Sequence, residues 1–263
     1  MHCRLVICPE CDLLYANPMF PPKAIAEAYE EAAFGSQEEA LFAARTYGRF
    51  LPEIIRQLSD REGALDIGTG DGAFLEVLLN QGFTRVKGIE PSKAPIQVAK
   101  EEIRPLIQNG LFNPRDYRKN SLRLVTCFQT FEHVVDPLKT VQGAYQILKE
   151  GGALFGIFHN RNSFSAEVLG EKSPIYDIAH LQLFSFQSAR YLLEKAGFAQ
   201  VSVKIVLNTY PLQYWLRLLP MPLKLKLVLL EGMKKTRLGK IPMPMPAGNM
   251  AVVGYKKAAA RRP

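Results

Sequence analysis

Long apolar runs are missing from this chain. Its most Leu-rich stretch, Trp215–Leu230, is interrupted by Arg217, Pro220, Pro222, Lys224 and Lys226, too often to cross a bilayer. Met1–Pro9 is too short for a secretory signal and contains Arg4, so a cytoplasmic setting is expected. Four cysteines in 263 residues do not make a disulfide framework. Internal repeats are absent, and low complexity is confined to Ile241–Pro246. What is present, 48% hydrophobic and 22% charged residues, excludes a disordered or fibrous chain and suffices for a sizeable core.

The formal charge of +8 would by itself suggest an anionic partner. Its distribution says otherwise. Residues 211–263 carry eleven Lys/Arg and one acidic residue, Glu231, whereas the remainder carries 22 basic and 24 acidic residues. The body of the protein is therefore not basic. It also lacks the aromatic–basic interleaving of single-strand binders, so no nucleic-acid partner is expected.

Helical spacing of apolar residues covers Lys23–Ala33 and Glu38–Leu58. Short apolar runs then alternate with amphipathic segments. Strands are expected at Ala64–Ile67, Val86–Ile89, Pro105–Gln108, Leu122–Phe128, Ala153–Phe158 and Val201–Val206. Helices are expected at Gly72–Asn80, Ser92–Ile103 with Ser92 as N-cap, Pro137–Lys149 and Ser185–Ala196. The alternation predicts an α/β, doubly wound, Rossmann-like and mostly parallel sheet of seven strands. Met250–Tyr255 has no helix after it and should enter antiparallel, at or next to an edge. Four parts follow: a cysteine knuckle with a helical cap (1–62), the sheet core (63–207), a basic Leu-rich lid insertion (208–248), and a closing strand with a basic tail (249–263).

The most informative segment is Ala64-Leu65-Asp66-Ile67-Gly68-Thr69-Gly70-Asp71-Gly72-Ala73. A strand enters three alternating glycines and then a helix. Glycine permits positive φ and close approach of backbone to a ligand, and the helix start presents unpaired N–H groups. Gly68, Gly70 and Ala73 satisfy G-x-G-x-x-A, which keeps an NAD-dependent oxidoreductase as one alternative. Asp66 points elsewhere, because a carboxylate inside a strand needs donors or a cationic ligand group. Gly72 is expected to open room beside an amino-acid-sized moiety. Glu90 follows the turn at the distance where a carboxylate accepts bonds from ribose hydroxyls.

In these motifs the chain resembles the class I S-adenosylmethionine-dependent methyltransferases. The resemblance rests on Leu65–Gly72, Gly88-Ile89-Glu90-Pro91-Ser92, Leu124–Pro137, Leu148-Lys149-Glu150-Gly151-Gly152, His180–Ser185, Ala196-Gly197-Phe198 and Gly248–Val253. It implies S-adenosylmethionine as cofactor and a small-molecule acceptor, lipid-like in one version, methylated by in-line displacement. It places Asp66, Gly68, Gly70 and Gly72 at the methionine end of the cofactor. Glu90 would hold the ribose, with Pro91 and Ser92 shaping that wall. Gly110, Leu111 and Phe112 would flank adenine, and Phe128 and Gln129 would lie near the sulfonium. Leu122-Arg123 stands where the family usually has Phe-Asp. A nucleic-acid methyltransferase is the other alternative, weakened by Gln129-Thr130-Phe131-Glu132 after the fourth strand. As general base, His133 and His159 are the candidates, ahead of His180 and Tyr176.

Cys8-Pro9-Glu10-Cys11 is similar to half of a zinc knuckle; only Cys3 and His2 could complete it, so no metal residue is assigned. Cys127 is expected in the core. In the long stretch Asn208–Gly248, Leu223, Leu227 and Leu230 fall on one helical face. The plainer expectation is that this face packs on the domain. The sharper one is a lid that contacts an anionic membrane.

Overall fold

The computed structural model describes residues 4–19, 21, 37–170, 173, 175–176, 179–219, 221–236 and 238–257, without the side chain of Lys234. The helix expected over Lys23–Ala33, the ligand candidates His2 and Cys3, and the tail beyond Lys257 lie outside the described residues.

Seven strands form the central sheet: β3 (Glu62–Ile67), β4 (Thr84–Glu90), β5 (Ile107–Asn109), β6 (Leu122–Phe128), β7 (Leu148–His159), β9 (Phe198–Ile205) and β12 (Asn249–Lys256). Their spatial order is β5-β4-β3-β6-β7-β12-β9. The first five run parallel. Strand β12 runs antiparallel between β7 and β9, one place in from the edge, as its position after the last core helix predicts.

Alternation along the strands sends side chains to two cores. On one face Phe155 and Ile157 of β7 pack with Leu51 and Ile54 of α2 (Leu51–Gln57), Leu75 and Leu78 of α3 (Ala73–Asn80), and Tyr47 of α1 (Gln37–Gly48). On the other, Leu154 and Phe158 pack with Val141 and Ile147 of α5 (Pro137–Ile147) and with Leu193 of α7 (Phe186–Lys195). Ser185 caps α7 through a reciprocal pair with Ser188.

Several boundaries differ from expectation for local reasons. Helix α4 covers only Lys93–Val98, because Arg104 Nη2 donates to the carbonyls of Gln97 and Ala99 at 3.0 and 2.9 Å and so terminates it. Ser92 sits at the N-cap, but its hydroxyl makes no cap bond. Gly151-Gly152 is a bulge inside β7, not a turn before it, so Leu148 already pairs with Leu122. Arg123, in place of the family's usual acid, bonds Asp60 at 2.5 Å and the Glu150 carbonyl at 2.7 Å. It ties the start of β6 to the chain entering β3 and to that bulge.

Cys8 and Cys11 occupy the turn between β1 (Leu5–Ile7) and β2 (Leu14–Ala16), and β2 pairs with the short β8 (Gln182–Leu183). Both thiols are free. Among the described residues no cluster of three or more metal-ligating side chains occurs.

The late segment forms a two-stranded ribbon, β10 (Asn208–Pro211) and β11 (Pro242–Met245), carrying helices α8 (Leu212–Leu218) and α9 (Leu223–Thr236). Expected packing of Leu223, Leu227 and Leu230 on the domain fails: Leu223 and Leu227 are exposed, and Leu230 is only partly covered. No described helix is long and apolar enough to cross a membrane.

Candidate active site

The carboxyl ends of β3, β4, β5 and β6 converge on one rim. Asp66 is buried near the end of β3, directly opposite Thr126 of β6 in the parallel register. The Thr126 hydroxyl donates to Asp66 Oδ1 at 2.6 Å. Burial pushes the Asp66 carboxyl up to about 6, partly offset by the bond from the Thr126 hydroxyl and by the nearby Thr69 hydroxyl. No cation balances this carboxylate among the described residues, so the site favours a cationic ligand group.

Glu90 ends β4 and faces the glycine turn. Its Oε2 accepts the Gly70 N–H and its Oε1 accepts the Ser92 N–H, both at 2.9 Å. Burial raises its pKa, and the two N–H bonds oppose that rise. Each oxygen keeps a lone pair for a further donor such as a hydroxyl. Asn109 braces the opposite wall by donating to the carbonyls of Glu90 and Pro91.

A cavity of about 330 Å³ opens beside these groups. The expected cofactor residues Gly68, Pro91, Gly110, Leu111 and Phe112 line it, with Thr130, His133 and Lys139. At Gly68 the backbone has φ +73, and a Cβ there would meet the Thr130 hydroxyl at 2.2 Å. Gly110 faces open space. Asp66, Gly70, Glu90 and Ser92 form the turn and shelf behind the cavity.

Three expected placements differ. Gly72 has φ +77, and a Cβ there would meet the Ile103 methyl at 2.4 Å, so it faces the core and opens no room for a ligand; its task is helix entry and packing. Phe128 is wedged among Tyr47, Phe74 and Phe155 and supports the site from below. Gln129, at φ +48, turns away from the cavity toward His159.

His133 and His159 separate clearly. His133 lines the cavity, and its Nδ1 donates to the Ala179 carbonyl at 2.9 Å. Burial, then His180, pulls its pKa down to about 4, so it is neutral near pH 7. His159 ends β7. Its Nδ1 lies 3.1 Å from Glu132 Oε1, which also accepts the His159 backbone N–H at 2.5 Å. Glu132 is fully buried, and its Oε2 has no hydrogen-bond partner among the described residues. Burial pushes this carboxyl up, but the bonds and charge of His159 outweigh it and hold the pKa low. Gln129 Nε2 is 3.2 Å from His159 Nε2, and Gln129 Oε1 accepts from the Tyr47 hydroxyl at 3.3 Å. These partners fix the proton on Nδ1 and leave Nε2 as an acceptor.

The sequence reading missed Thr126, Thr130, Tyr47 and the orienting role of Glu132. Thr126 was recoverable by aligning the parallel strand ends of β3 and β6. Tyr47 carried no signal, because it comes from a helix 82 residues away from Gln129.

Strand order, glycine turn, the Glu90 carboxylate at the end of β4 and the cavity define a class I methyltransferase site, and the residues present fit S-adenosylmethionine. The buried Asp66 carboxylate suits its cationic end, Glu90 its ribose, and the apolar Leu111 and Phe112 its adenine. A methyltransferase-domain family pattern matches residues 38–203, more than half of the chain, and the protein belongs to that family. A ubiquinone biosynthesis O-methyltransferase of Nitrosomonas europaea is 33% identical over 124 residues, covering 43% of this chain and 50% of the relative. The Vibrio cholerae protein of the same name is 31% identical over 104 residues, covering 37% and 42%. The chain thus spans half or less of these relatives' length. Among solved structures, an S-adenosylmethionine-dependent methyltransferase from Archaeoglobus fulgidus superposes with TM-score 0.55 at 19% identity, covering 81% of this chain and 93% of that one. A Thermotoga maritima methyltransferase gives 0.54 at 22%, covering 83% and 91%. At these identities the structural likeness speaks for the fold. Family membership removes the NAD-dependent oxidoreductase reading.

Proposed function

We propose that the protein methylates a hydroxyl oxygen of a small, largely apolar, lipid-like acceptor, with His159 as general base and Glu132 as its positioning residue. The observation that carries this reading is the buried Glu132–His159 pair. It stands at the end of β7, two strand spacings or about 10 Å from Asp66 at the end of β3. Bound S-adenosylmethionine supplies an electrophilic methyl group on a sulfonium. The chain's part is to hold the acceptor in line, exclude water and take its proton. The acceptor hydroxyl replaces the Gln129 amide at His159 Nε2, and the proton moves to that nitrogen. Glu132 then faces an imidazolium, which offsets the charge of its buried carboxylate. The names of the two bacterial relatives support an oxygen acceptor. The ring cluster of Tyr210, Tyr214 and Trp215 beside α1 supports an apolar one.

The test uses 4-alkylcatechols as hydroxyl probes. His159→Ala should lower kcat by about 10²–10⁴-fold near pH 7 with unchanged cofactor affinity. The loss should shrink at alkaline pH, where the catechol ionises unaided. His133→Ala should retain kcat and weaken cofactor binding. Full turnover by His159→Ala at pH 7 would remove the base assignment.

A further inference from the structure

Helix α9 exposes an apolar flank to solvent. It is 14 residues long, about 21 Å. At 100° per residue, Lys226, Leu230 and Met233 share the partly covered side. Leu225, Val228, Leu229 and Gly232, recurring at i, i+3, i+4 and i+7, form a flank centred about 110° round the helix from that side. Leu225 and Val228 are 50% and 68% exposed. Leu223 and Leu227 are exposed on the other flank, and Leu218, Leu219, Leu238 and Ile241 are exposed in the segments before and after the helix. Lys224 and Lys235 border the Leu225 flank, with Glu231 between them 3.8 Å from the Lys235 ammonium. The insertion, residues 208–248, holds seven basic residues and one acidic residue.

Soluble monomers rarely leave so many contiguous large apolar side chains uncovered. An apolar stripe bordered by lysines on a helix too short to span fits a helix lying in a bilayer surface. Charge selects the occupant. A second copy across a two-fold axis would bring the same lysines together, whereas an anionic headgroup layer attracts them.

We propose that the exposed apolar flank of α9 and its bordering lysines dock the protein on an anionic lipid bilayer. The ribbon below α9 leads toward the active site. Tyr210 of β10 contacts Phe42 of α1, the Thr209 N–H donates to the Thr46 hydroxyl, and the next residue, Tyr47, reaches Gln129. Docking there sets the acceptor side of the site against the membrane. That delivery rests on the acceptor reading above; the docking itself does not.

The experiment is co-sedimentation of the full chain with phosphatidylcholine vesicles and with vesicles containing 30% phosphatidylglycerol. The anionic vesicles should bind at least tenfold more tightly, and 0.5 M salt should reduce that margin. Lys224→Glu/Lys235→Glu should cost about 30-fold or more, from roughly 1 kcal/mol per basic residue near the surface. Leu225→Ser/Val228→Ser/Leu229→Ser should abolish binding. All five residues are exposed, so both variants should keep the wild-type Tm and cofactor affinity. No binding to anionic vesicles, equal binding to both compositions, or undiminished binding by the variants overturns the proposal. So does a protein dimer that the triple serine variant dissociates without any vesicle binding. Vesicle binding with no methylation of alkylcatechols leaves docking standing and removes the acceptor reading.

Discussion

Asp66→Asn separates what the site costs the fold from what it gives the cofactor. Asp66 is 2% exposed, and among the described residues its side-chain neighbours with donors are the Thr126 and Thr69 hydroxyls. Its pKa stands at about 6 against an ordinary 3.8. The difference corresponds to about 3 kcal/mol at 1.36 kcal/mol per unit. The native state therefore holds a proton that the unfolded state has released between these values. Stability falls as pH rises through that window, and the full cost applies above pH 6. Asparagine keeps an acceptor for Thr126 and removes the buried charge. Without cofactor, Asp66→Asn should melt about 6–12 °C above wild type at pH 8, and the curves should converge toward pH 4. Calorimetric titration with S-adenosylmethionine should show the opposite ranking. The variant should bind about 10–150-fold more weakly, the range for losing a hydrogen bond to a charged group. Wild-type affinity should also decline below pH 6, while the variant's stays flat. A variant that melts lower than wild type at pH 8, or binds the cofactor as tightly, refutes the account of Asp66 as a buried charge awaiting a cation.

Three further outcomes follow from particular contacts. Gly72→Ala should destabilise by about 2–4 kcal/mol, read by urea titration, because φ +77 and the Ile103 methyl at 2.4 Å both oppose a Cβ. Leu111→Ala, at a residue 64% exposed on the cavity rim, should leave Tm within a degree and raise the cofactor Kd about five- to tenfold, measured by calorimetry. Arg123→Met should lower Tm at pH 7. The hydrogen bond from Arg123 holds the Asp60 carboxyl well below its ordinary range, so that deficit should shrink as pH falls below 4 in thermal scans across pH.

The strands and the glycine turn were legible because they obey local rules. β6 falls where the apolar run Leu122–Phe128 sets it, and the Gly68–Gly72 spacing admits few turns. Helix ends were less legible. α4 stops at Val98 because a side chain six residues further on, Arg104, takes up its carbonyls. Gly72 was misread for a related reason. Positive φ was expected of it, but its neighbour is Ile103, and only the fold shows that this side of the turn faces the core. The late insertion was legible in charge and not in packing. Its leucines satisfy a helical period, and period alone does not say whether an apolar face meets protein or something else.

Glu132 shows where motif reading ends and geometry begins. In the run Phe131-Glu132-His133, the histidine drew attention because imidazole titrates near neutrality. Yet His133 is committed to the Ala179 carbonyl and to the cavity wall. The adjacent glutamate reaches 27 residues ahead in the chain to His159 and accepts both its backbone N–H and its ring. A fully buried carboxylate with one oxygen unpartnered is costly unless a positive charge arrives nearby. Proton transfer to His159 Nε2 would supply that charge during turnover. Replacing Glu132 with Gln keeps the side chain's size and one acceptor while removing the charge. It should therefore preserve the fold and cofactor affinity, reduce kcat and change the pH–rate profile. An unchanged pH–rate profile for Glu132→Gln would mean that the pair is structural and that another group receives the proton.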